Sequence, residues 1–309
     1  MRRLILAGLV AAAVLAACEQ PDPLAANRRA CADDNGAPAE RVAACTALIE
    51  SGELEEAARI EAQANRGAAH RAAGEVTSAL RDFEAVLRVE ADNAVALEGR
   101  AAILLASGQL DAAEQLVTQL IETGEADASA QFMRAEIAQS RGDYAAALED
   151  YDAAIARDQR MAIAFARRGR AKQRLDDIDG ALADFDSALR LDSSLVDARA
   201  GRCWLSLREG RDLERARTDA ETAAAADPRH VEAQLCRGIL QLRGEEWTLA
   251  RTSFEAALEV EPGNPTALFG RGVARRRSGD SDGREDMNRA RDFDRHIGET
   301  FDDWGVRTY

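Results

Sequence analysis

The sequence is poor in the residues that usually build aromatic cores and catalytic sites. Aromatic residues make up 5% of its 309 positions, and its three histidines, His70, His230 and His296, lie far apart. Lys172 is the only lysine, so nearly all of the positive charge comes from arginine. Because large rings normally dominate a globular core, their scarcity beside so much alanine indicates closely packed helices.

An excess of basic residues is also missing. The formal net charge is −15, and no long basic run occurs anywhere in the chain. A nucleic-acid-binding protein needs cationic side chains to displace counterions from phosphates, so this composition argues against nucleic acid as a partner. An acidic balance mainly keeps a protein soluble.

Recognisable catalytic and metal-binding motifs are lacking as well. The sequence contains no P-loop, no Gly-x-Ser-x-Gly and no His-Glu-x-x-His. Its cysteines are not spaced two to four residues apart, as zinc ligands usually are. We therefore predict no enzymatic activity, no cofactor and no metal.

The N-terminus has the pattern of an export signal. Arg2 and Arg3 precede an apolar run from Leu4 to Ala17, which is too short to span a bilayer comfortably but fits a secretory signal peptide. The run ends in Leu15-Ala16-Ala17-Cys18, which resembles the lipobox of bacterial lipoproteins. That resemblance implies removal of residues 1–17 and acylation of Cys18, including by palmitate. The alternative is an ordinary signal peptide with a chance cysteine.

The residues after Cys18 predict a tether and a location. Residues 18–30 contain two prolines and show no apolar period, so we interpret them as a lipidated tether. Lipoproteins that stay in the inner membrane often have aspartate after the cysteine, whereas this chain has Glu19. We therefore expect a periplasm-facing protein of the cell envelope, with the outer membrane favoured.

Most of the remaining chain is an internal repeat of 34 residues. Each copy carries two amphipathic helical patterns separated by a Gly- or Asp-rich turn. The seven full copies begin at Ile60, Ala94, Ala128, Ala162, Val196, Val231 and Pro265. A divergent helical half-repeat over residues 31–59 precedes them. The spacing of Ile297, Phe301 and Trp304 predicts a capping helix in residues 298–309, after the repeats of residues 60–297.

Three positions of the repeat carry a shared size pattern. The eighth residue is always small: Gly67, Ala101, Ala135, Gly169, Cys203, Gly238, Gly272. The twentieth is also small: Ala79, Ala113, Ala147, Ala181, Ala216, Ala250, Gly283. The twenty-fourth is mostly large: Phe83, Val117, Tyr151, Phe185, Phe254. This pattern resembles the tetratricopeptide repeat, which implies an all-α, right-handed solenoid of antiparallel helix pairs.

Arginine and aspartate recur at two further positions. The seventh residue is arginine in every copy: Arg66, Arg100, Arg134, Arg168, Arg202, Arg237, Arg271. The twenty-third is aspartate in five copies: Asp82, Asp150, Asp184, Asp219, Asp286. Since a guanidinium can form two parallel hydrogen bonds to one carboxylate, we predict that each arginine pairs with the aspartate of its own or a neighbouring copy.

Four cysteines remain besides Cys18. Cys31 and Cys45 lie close together before the repeats, and an exported protein can form disulfides, so we predict a bridge between them. Two buried thiols are the alternative. Cys203 and Cys236 occupy the eighth and sixth positions of adjacent copies. A bridge is possible there, but we expect two packed, unpaired side chains.

The family resemblance also implies where a partner would bind. In tetratricopeptide repeats the first helix of each pair lines the concave face, mainly through positions 2, 5, 9, 12 and 13. In the later copies these positions hold apolar and basic residues: Arg170, Arg174, Trp204, Leu207, Arg208, Leu235, Ile239, Leu242, Arg243, Phe269, Val273, Arg276 and Arg277. Tryptophan and arginine are enriched at binding hot spots. We therefore predict a groove for an acidic protein segment with apolar anchors; burial of the apolar residues is the alternative.

The sequence thus predicts a membrane-anchored scaffold for protein–protein interactions in envelope assembly or in the recruitment of cell-wall enzymes. One alternative is a permanent structural subunit of a large envelope complex of the secretin or pilus type. Such a subunit would bury a large, mostly apolar interface. A more distant alternative is an enzyme or small-ligand binder that uses the solenoid as a cleft.

Overall fold

The structure of the chain is a computed structural model that describes residues 24–124 and 127–308. The predicted signal peptide, Cys18 and the start of the tether lie outside those residues. Within them the chain forms seventeen α-helices and no strands, as the repeat pattern predicts. The helices are α1 Ala25–Ala32, α2 Pro38–Glu50, α3 Glu56–Ala72, α4 Val76–Leu87, α5 Ala94–Ala106, α6 Leu110–Glu122, α7 Ala128–Ser140, α8 Tyr144–Arg157, α9 Ala162–Arg174, α10 Ile178–Leu191, α11 Val196–Glu209, α12 Leu213–Ala226, α13 Val231–Arg243, α14 Trp247–Val260, α15 Pro265–Arg277, α16 Gly283–Phe293 and α17 Ile297–Asp303. The chain divides after Arg100 into two compact units.

The N-terminal unit opens with a helix where the sequence predicted a tether. Helix α1 begins at Ala25, so residues 25–30 of the predicted tether are helical. Cys31 near the end of α1 is buried and forms a disulfide with Cys45 of α2, with their Cα atoms 4.8 Å apart. This covalent link holds α1 against α2, and α2 in turn packs on α3.

The turns within the helix pairs follow from their glycine and aspartate residues. Gly142 has a φ of +82°, a left-handed conformation that a residue without a side chain adopts at low cost as α7 ends. Asp143 then accepts a hydrogen bond from the backbone N–H of Ala146 at 3.1 Å and so caps α8. Asp177 caps α10 in the same way through Gly180, at 3.0 Å.

A large ring locks successive repeats together. The ring of Phe185, at the twenty-fourth position, lies between Gly169 of its own copy and Gly201 of the next copy. A Cβ atom would lie 3.0 Å from the ring on Gly169 and 2.6 Å from it on Gly201. The same arrangement joins Phe83 to Gly67 and Gly99, and Phe254 to Gly238 and Gly270. The glycine at the sixth position of the following copy is thus as necessary as the small eighth residue.

One junction replaces this ring with a disulfide. Cys203 and Cys236 are bridged, with their Cα atoms 6.4 Å apart, so the prediction of unpaired thiols is wrong. The sixth and eighth positions point to different sides of a single helix, but Cys203 and Cys236 lie on neighbouring helices, α11 and α13, whose facing sides carry them. Ala220 stands at the twenty-fourth position of this copy and belongs to the same buried cluster. The two sulfur atoms take the place that a ring fills at the junctions of Phe83, Phe185 and Phe254.

The predicted arginine–aspartate pairs form in all five copies that have the aspartate. Arg202 donates from Nε and Nη2 to the two carboxylate oxygens of Asp219, both at 2.7 Å. Equivalent two-pronged contacts join Arg66 to Asp82, Arg134 to Asp150, Arg168 to Asp184 and Arg271 to Asp286. In the copy that begins at Val231, Ser253 stands in place of the aspartate, and Arg237 donates to its hydroxyl.

Two of these arginines also bind the preceding copy. Arg168 donates from Nη1 to Asp152 at 2.6 Å, and Arg202 donates to Asp186 at 2.7 Å. Each guanidinium therefore joins both helices of its own pair to the second helix of the pair before. Removing one member of such a buried pair leaves an uncompensated charge, which typically costs about 3–5 kcal/mol.

Exchanging the disulfide for a ring tests the equivalence of the junctions. In the native chain we expect Ala220→Phe to lower the free energy of unfolding by about 2 kcal/mol, because the ring would meet the disulfide. In a Cys203→Gly, Cys236→Gly chain the same substitution should raise stability by about 2 kcal/mol, because the vacated space accepts the ring. Denaturant unfolding of the four chains measures this reversal of sign. Ala220→Phe destabilising both backgrounds equally would contradict the equivalence.

Candidate functional site

The first helices of the later pairs carry the residues predicted to line a groove. All of them belong to the C-terminal unit, on α9, α11, α13 and α15. Six apolar members of the set are buried, with 0–7% exposure: Leu207, Leu235, Ile239, Leu242, Phe269 and Val273. The prediction of an open apolar stripe is therefore wrong for these side chains. Trp204 is only partly buried and Leu235 borders an open groove.

The C-terminal segment, residues 297–308, covers much of this apolar surface. Helix α17 forms as predicted, but the segment reaches beyond the last helix pair. The Phe301 ring lies 4.9 Å from that of Phe269 on α15, and the Trp304 ring lies edge-on to Trp204 of α11 at 5.3 Å. Ile297, Phe301, Trp304 and Val306 join the same buried cluster as the first helices. The segment therefore runs over the first helices of three successive pairs.

Two of the predicted groove arginines bind the backbone of this segment. Arg243 donates from Nη1 to the carbonyl oxygen of Trp304 at 2.7 Å, and Arg277 donates from Nη2 to that of Arg307 at 2.9 Å. The Arg277 guanidinium also lies over the Trp247 ring, 5.7 Å from its centroid. These cations face main-chain carbonyls and a ring rather than free space.

The remaining arginines of the set differ in their pairing. Arg170 forms a two-pronged ion pair with Glu232, and Arg208 donates to Asp176 at 2.8 Å. Arg276 contacts the sulfur of Met287. Arg174 is exposed and makes no ion pair within the part of the chain that the structure describes. Carboxylates therefore pair with Arg170 and Arg208 of the predicted basic stripe, whereas Arg174 is exposed beside the open groove without such a partner among the described residues.

An open groove of about 720 Å³ adjoins the C-terminal segment at Trp204. Its walls carry Arg170, Arg174, Trp204 and Leu235 from the predicted set, together with residues that the prediction omitted: Gln139, Ser140, Tyr144, Arg167, Gln173, Val231, Glu232, Glu261, Asn264 and Thr266. Gln139 and Gln173 stand at the twelfth position and Glu232 at the second, so the positional rule itself would have found them. The predicted set omitted Gln173 and Glu232 because it held only basic and apolar residues, and Gln139 because it held only residues of the later copies.

A hydrogen-bonded network of charges supports one wall of the groove. Arg167 lies between Glu136 and Asp197, at 3.5 and 3.2 Å. The hydroxyl of buried Tyr151 donates to Glu136, and its pKa is raised by burial and by that carboxylate. Burial alone would lower the pKa of Arg170, but its hydrogen bonds to Glu232 outweigh burial and raise it. The wall therefore carries fixed charges of both signs.

His230 and Asp197 form the titratable pair of this network. Nε2 of His230 lies 2.9 Å from Asp197, while its Nδ1 accepts the backbone N–H of Ala233 at 3.2 Å and caps α13. The hydrogen bond from His230, helped by the positive charge of Arg167, lowers the pKa of Asp197 to about 2 against the effect of burial. The same hydrogen bond raises the pKa of His230.

Sequence profiles of one family match most of the repeat region. Two profiles described as tetratricopeptide repeat match residues 70–137 in one case, and 132–196, 205–252 and 237–284 in the other. The chain belongs to the tetratricopeptide-repeat family. Tetratricopeptide repeats bind protein or peptide partners, and this chain has the corresponding helix pairs. No curated protein matches the chain.

Solved structures share the fold at low sequence identity. A chain of the APC/C hetero-tetramer Cut9–Hcn1 aligns with a TM-score of 0.64 and 14% identity over 79% of this chain, which spans about half of that protein. Pseudomonas aeruginosa pilF gives a TM-score of 0.58 and 16% identity over 69% of this chain and 96% of its own. A tetratricopeptide-repeat protein of Parabacteroides merdae gives a TM-score of 0.52 and 19% identity over 80% of this chain and 98% of its own. These similarities concern the fold.

No three His, Cys, Asp or Glu side chains within residues 24–124 and 127–308 are placed to hold a metal ion. Among those same residues no helix has the length and apolar character needed to cross a bilayer.

The His230–Asp197 pair predicts a specific titration. We expect Asp197→Asn to lower the pKa of His230, because the carboxylate that favours the charged ring is gone. Nitrogen-15 NMR of the imidazole ring measures this pKa directly. Asp176→Asn is the matched control, since it removes an exposed carboxylate that contacts Arg208 and should leave His230 unchanged. An unaltered His230 titration in Asp197→Asn would show that the pair does not control the charge of the ring.

Proposed function

We propose that this protein is a membrane-anchored, periplasm-facing adaptor that holds a segment of another envelope protein in the open groove of its C-terminal unit. The observation that carries the proposal is the groove itself. It is about 720 Å³ in volume and is bordered by first helices of a family whose members bind proteins. Such an adaptor would serve envelope assembly or bring cell-wall enzymes to one place.

The groove walls indicate what kind of segment would bind. Gln139 and Gln173 offer amide donors and acceptors suited to a peptide backbone, and Trp204 offers a partly buried ring. Arg174 is the accessible cation, so we expect one acidic side chain of the partner opposite it. Glu232 is paired with Arg170, whereas exposed Glu261 stands in the same groove and disfavours a strongly acidic segment. The partner is therefore expected to be mixed in charge, with an apolar anchor.

The anchor is proposed from the sequence of residues 1–18. Arg2, Arg3, the apolar run and Leu15-Ala16-Ala17-Cys18 together support export and acylation. The two disulfides of the C-terminal and N-terminal units are consistent with an oxidising compartment, since cytosolic proteins rarely keep them. Several acyl chains on one cysteine would give stable attachment. Glu19 supports the outer membrane as the destination.

Replacing Cys18 tests the anchor. We expect Cys18→Ser to abolish incorporation of labelled palmitate and to leave an uncleaved precursor, because serine cannot form the thioether that carries the lipid. Metabolic labelling followed by fractionation of membranes measures both effects. The control is the double variant Cys31→Ser, Cys45→Ser, which removes two other cysteines and should keep its label. Equal labelling of Cys18→Ser and the native chain would disprove lipidation at this residue.

Site-specific photo-crosslinking tests the groove. With a photoreactive residue in place of Gln173, we expect the full-length protein in its own bacterium to capture a defined protein. Arg174→Glu in the same chain should abolish that product, because it puts a negative charge opposite the partner's acid.

The matched control places the same photoreactive residue at Leu249, which is 55% exposed on α14 and does not line the groove. The same products from Gln173 and Leu249, or products that survive Arg174→Glu, would place the partner surface elsewhere.

A further inference from the structure

The C-terminal segment is held on the first helices by the kinds of contact that bind a foreign peptide. Its aromatic rings pack on Phe269 and Trp204, and its backbone carbonyls at Trp304 and Arg307 accept hydrogen bonds from Arg243 and Arg277. Because carbonyl oxygens belong to every peptide, the two arginines would accept any segment of similar shape. The rings supply the specificity.

A glycine in the middle of the segment allows this close approach. Gly305 has a φ of +76°, and a Cβ atom there would lie only 3.2 Å from Cζ of Arg243. The guanidinium can therefore lie beside the turn and reach the Trp304 carbonyl. Val306 follows and is buried, at 2% exposure. An aromatic residue, a glycine and a β-branched residue thus form the part of the segment that packs against α11 and α13.

The segment is a small element with incompletely filled surroundings. Helix α17 has only seven residues, which is too short for a helix to be stable without its packing contacts. A cavity of about 380 Å³ borders Arg243, Trp247, Arg277 and Val306, and another of about 160 Å³ borders Val273 and Thr308. Short elements beside such cavities commonly open at lower free energy than the rest of a fold.

Trp204 connects the segment to the open groove. Its ring contacts Trp304 on one side and lines the 720 Å³ groove on the other. A partner chain lying in the open groove and continuing along the first helices would therefore reach the place that Trp304 occupies.

We propose that the C-terminal segment is an exchangeable occupant of the binding surface, and that a partner replaces it with an extended segment of its own carrying an aromatic residue, a glycine and a β-branched residue in succession. This inference rests on the proposed function, since it extends the same groove. The partner's aromatic ring packs on Trp204, and its backbone carbonyls accept hydrogen bonds from Arg243 and Arg277.

Covalent attachment gives the native segment a large advantage over a free peptide. A short tether produces an effective concentration on the order of 1 mM, so a free peptide with the same contacts competes poorly. A genuine partner overcomes this through its additional contacts in the open groove. A variant with a weakened segment should bind a free peptide much more tightly than the native chain does.

The test uses a fluorescent peptide with the sequence of residues 300–309, TFDDWGVRTY, and the full mature chain. We expect the peptide to bind the Trp304→Ala chain with a Kd at least 10-fold lower than that of the native chain, measured by fluorescence anisotropy. A peptide with alanine in place of its tryptophan is the matched control and should not bind. Adding Arg243→Ala to the Trp304→Ala chain should weaken binding at least 10-fold.

Hydrogen exchange of the same chains gives an independent readout. We expect the amides of residues 304–308 to lose protection in Trp304→Ala while those of α13 and α15 keep theirs. Equal peptide affinity for the native and Trp304→Ala chains would overturn the proposal. Loss of protection throughout α13 and α15 would also overturn it, because the segment would then be a fixed part of the core. If the peptide binds the Trp304→Ala chain as expected but the photoreactive residue at Gln173 captures no protein, the proposed envelope partner is refuted while the exchange of the segment stands.

Discussion

Everything in the repeat region depends on how closely the first helices of neighbouring pairs can approach. At three of the six junctions between full copies a phenylalanine ring from the twenty-fourth position fills the space between two glycines, and bare backbone on both sides is what admits it. Protein interiors are packed about as densely as organic crystals, so such a fit fixes the distance between the helices. At the Cys203–Cys236 junction a covalent bond performs this role. The side-by-side placement of α9, α11, α13 and α15, and with it the groove, follows from these contacts.

The arginine–aspartate pairs fix the rotation of the helices rather than their distance. A buried ion pair is weak evidence for net stability, because the desolvation of both partners offsets much of their attraction. Its two-pronged geometry is nevertheless demanding, and Arg202 with Asp219 satisfies it with two bonds of equal length. Rings and glycines therefore set how near the helices lie, while guanidinium and carboxylate set which faces meet.

The sequence predicted the helix pairs and the ionic contacts because both depend on local, repeated spacing. Periodicity of 34 residues located the pairs, and the recurrence of arginine and aspartate at two positions of the repeat, as in Arg168 and Asp184, predicted the contact between their helices. The groove was harder, since whether Phe269 or Leu242 is exposed depends on a segment that follows the last repeat. The helical spacing of Phe301 and Trp304 predicted a cap but could not show how far it would reach. Likewise, pairing of Arg170 with Glu232, 62 residues away, has no local signature.

The ionic contacts keep the same geometry although the turns between paired helices vary in length. Arg202 and Asp219 are separated by 17 residues, Arg168 and Asp184 by 16, and Arg271 and Asp286 by 15, yet all three pairs have the same geometry. The additional residue lies near Asp212, whose φ of +52° places it in a left-handed turn. Insertions and deletions are thus absorbed by the loop, while the helices on either side keep their register. A lineage carrying this architecture can lengthen or shorten its turns, and so remodel the rim of the groove, without rebuilding the interior of any repeat.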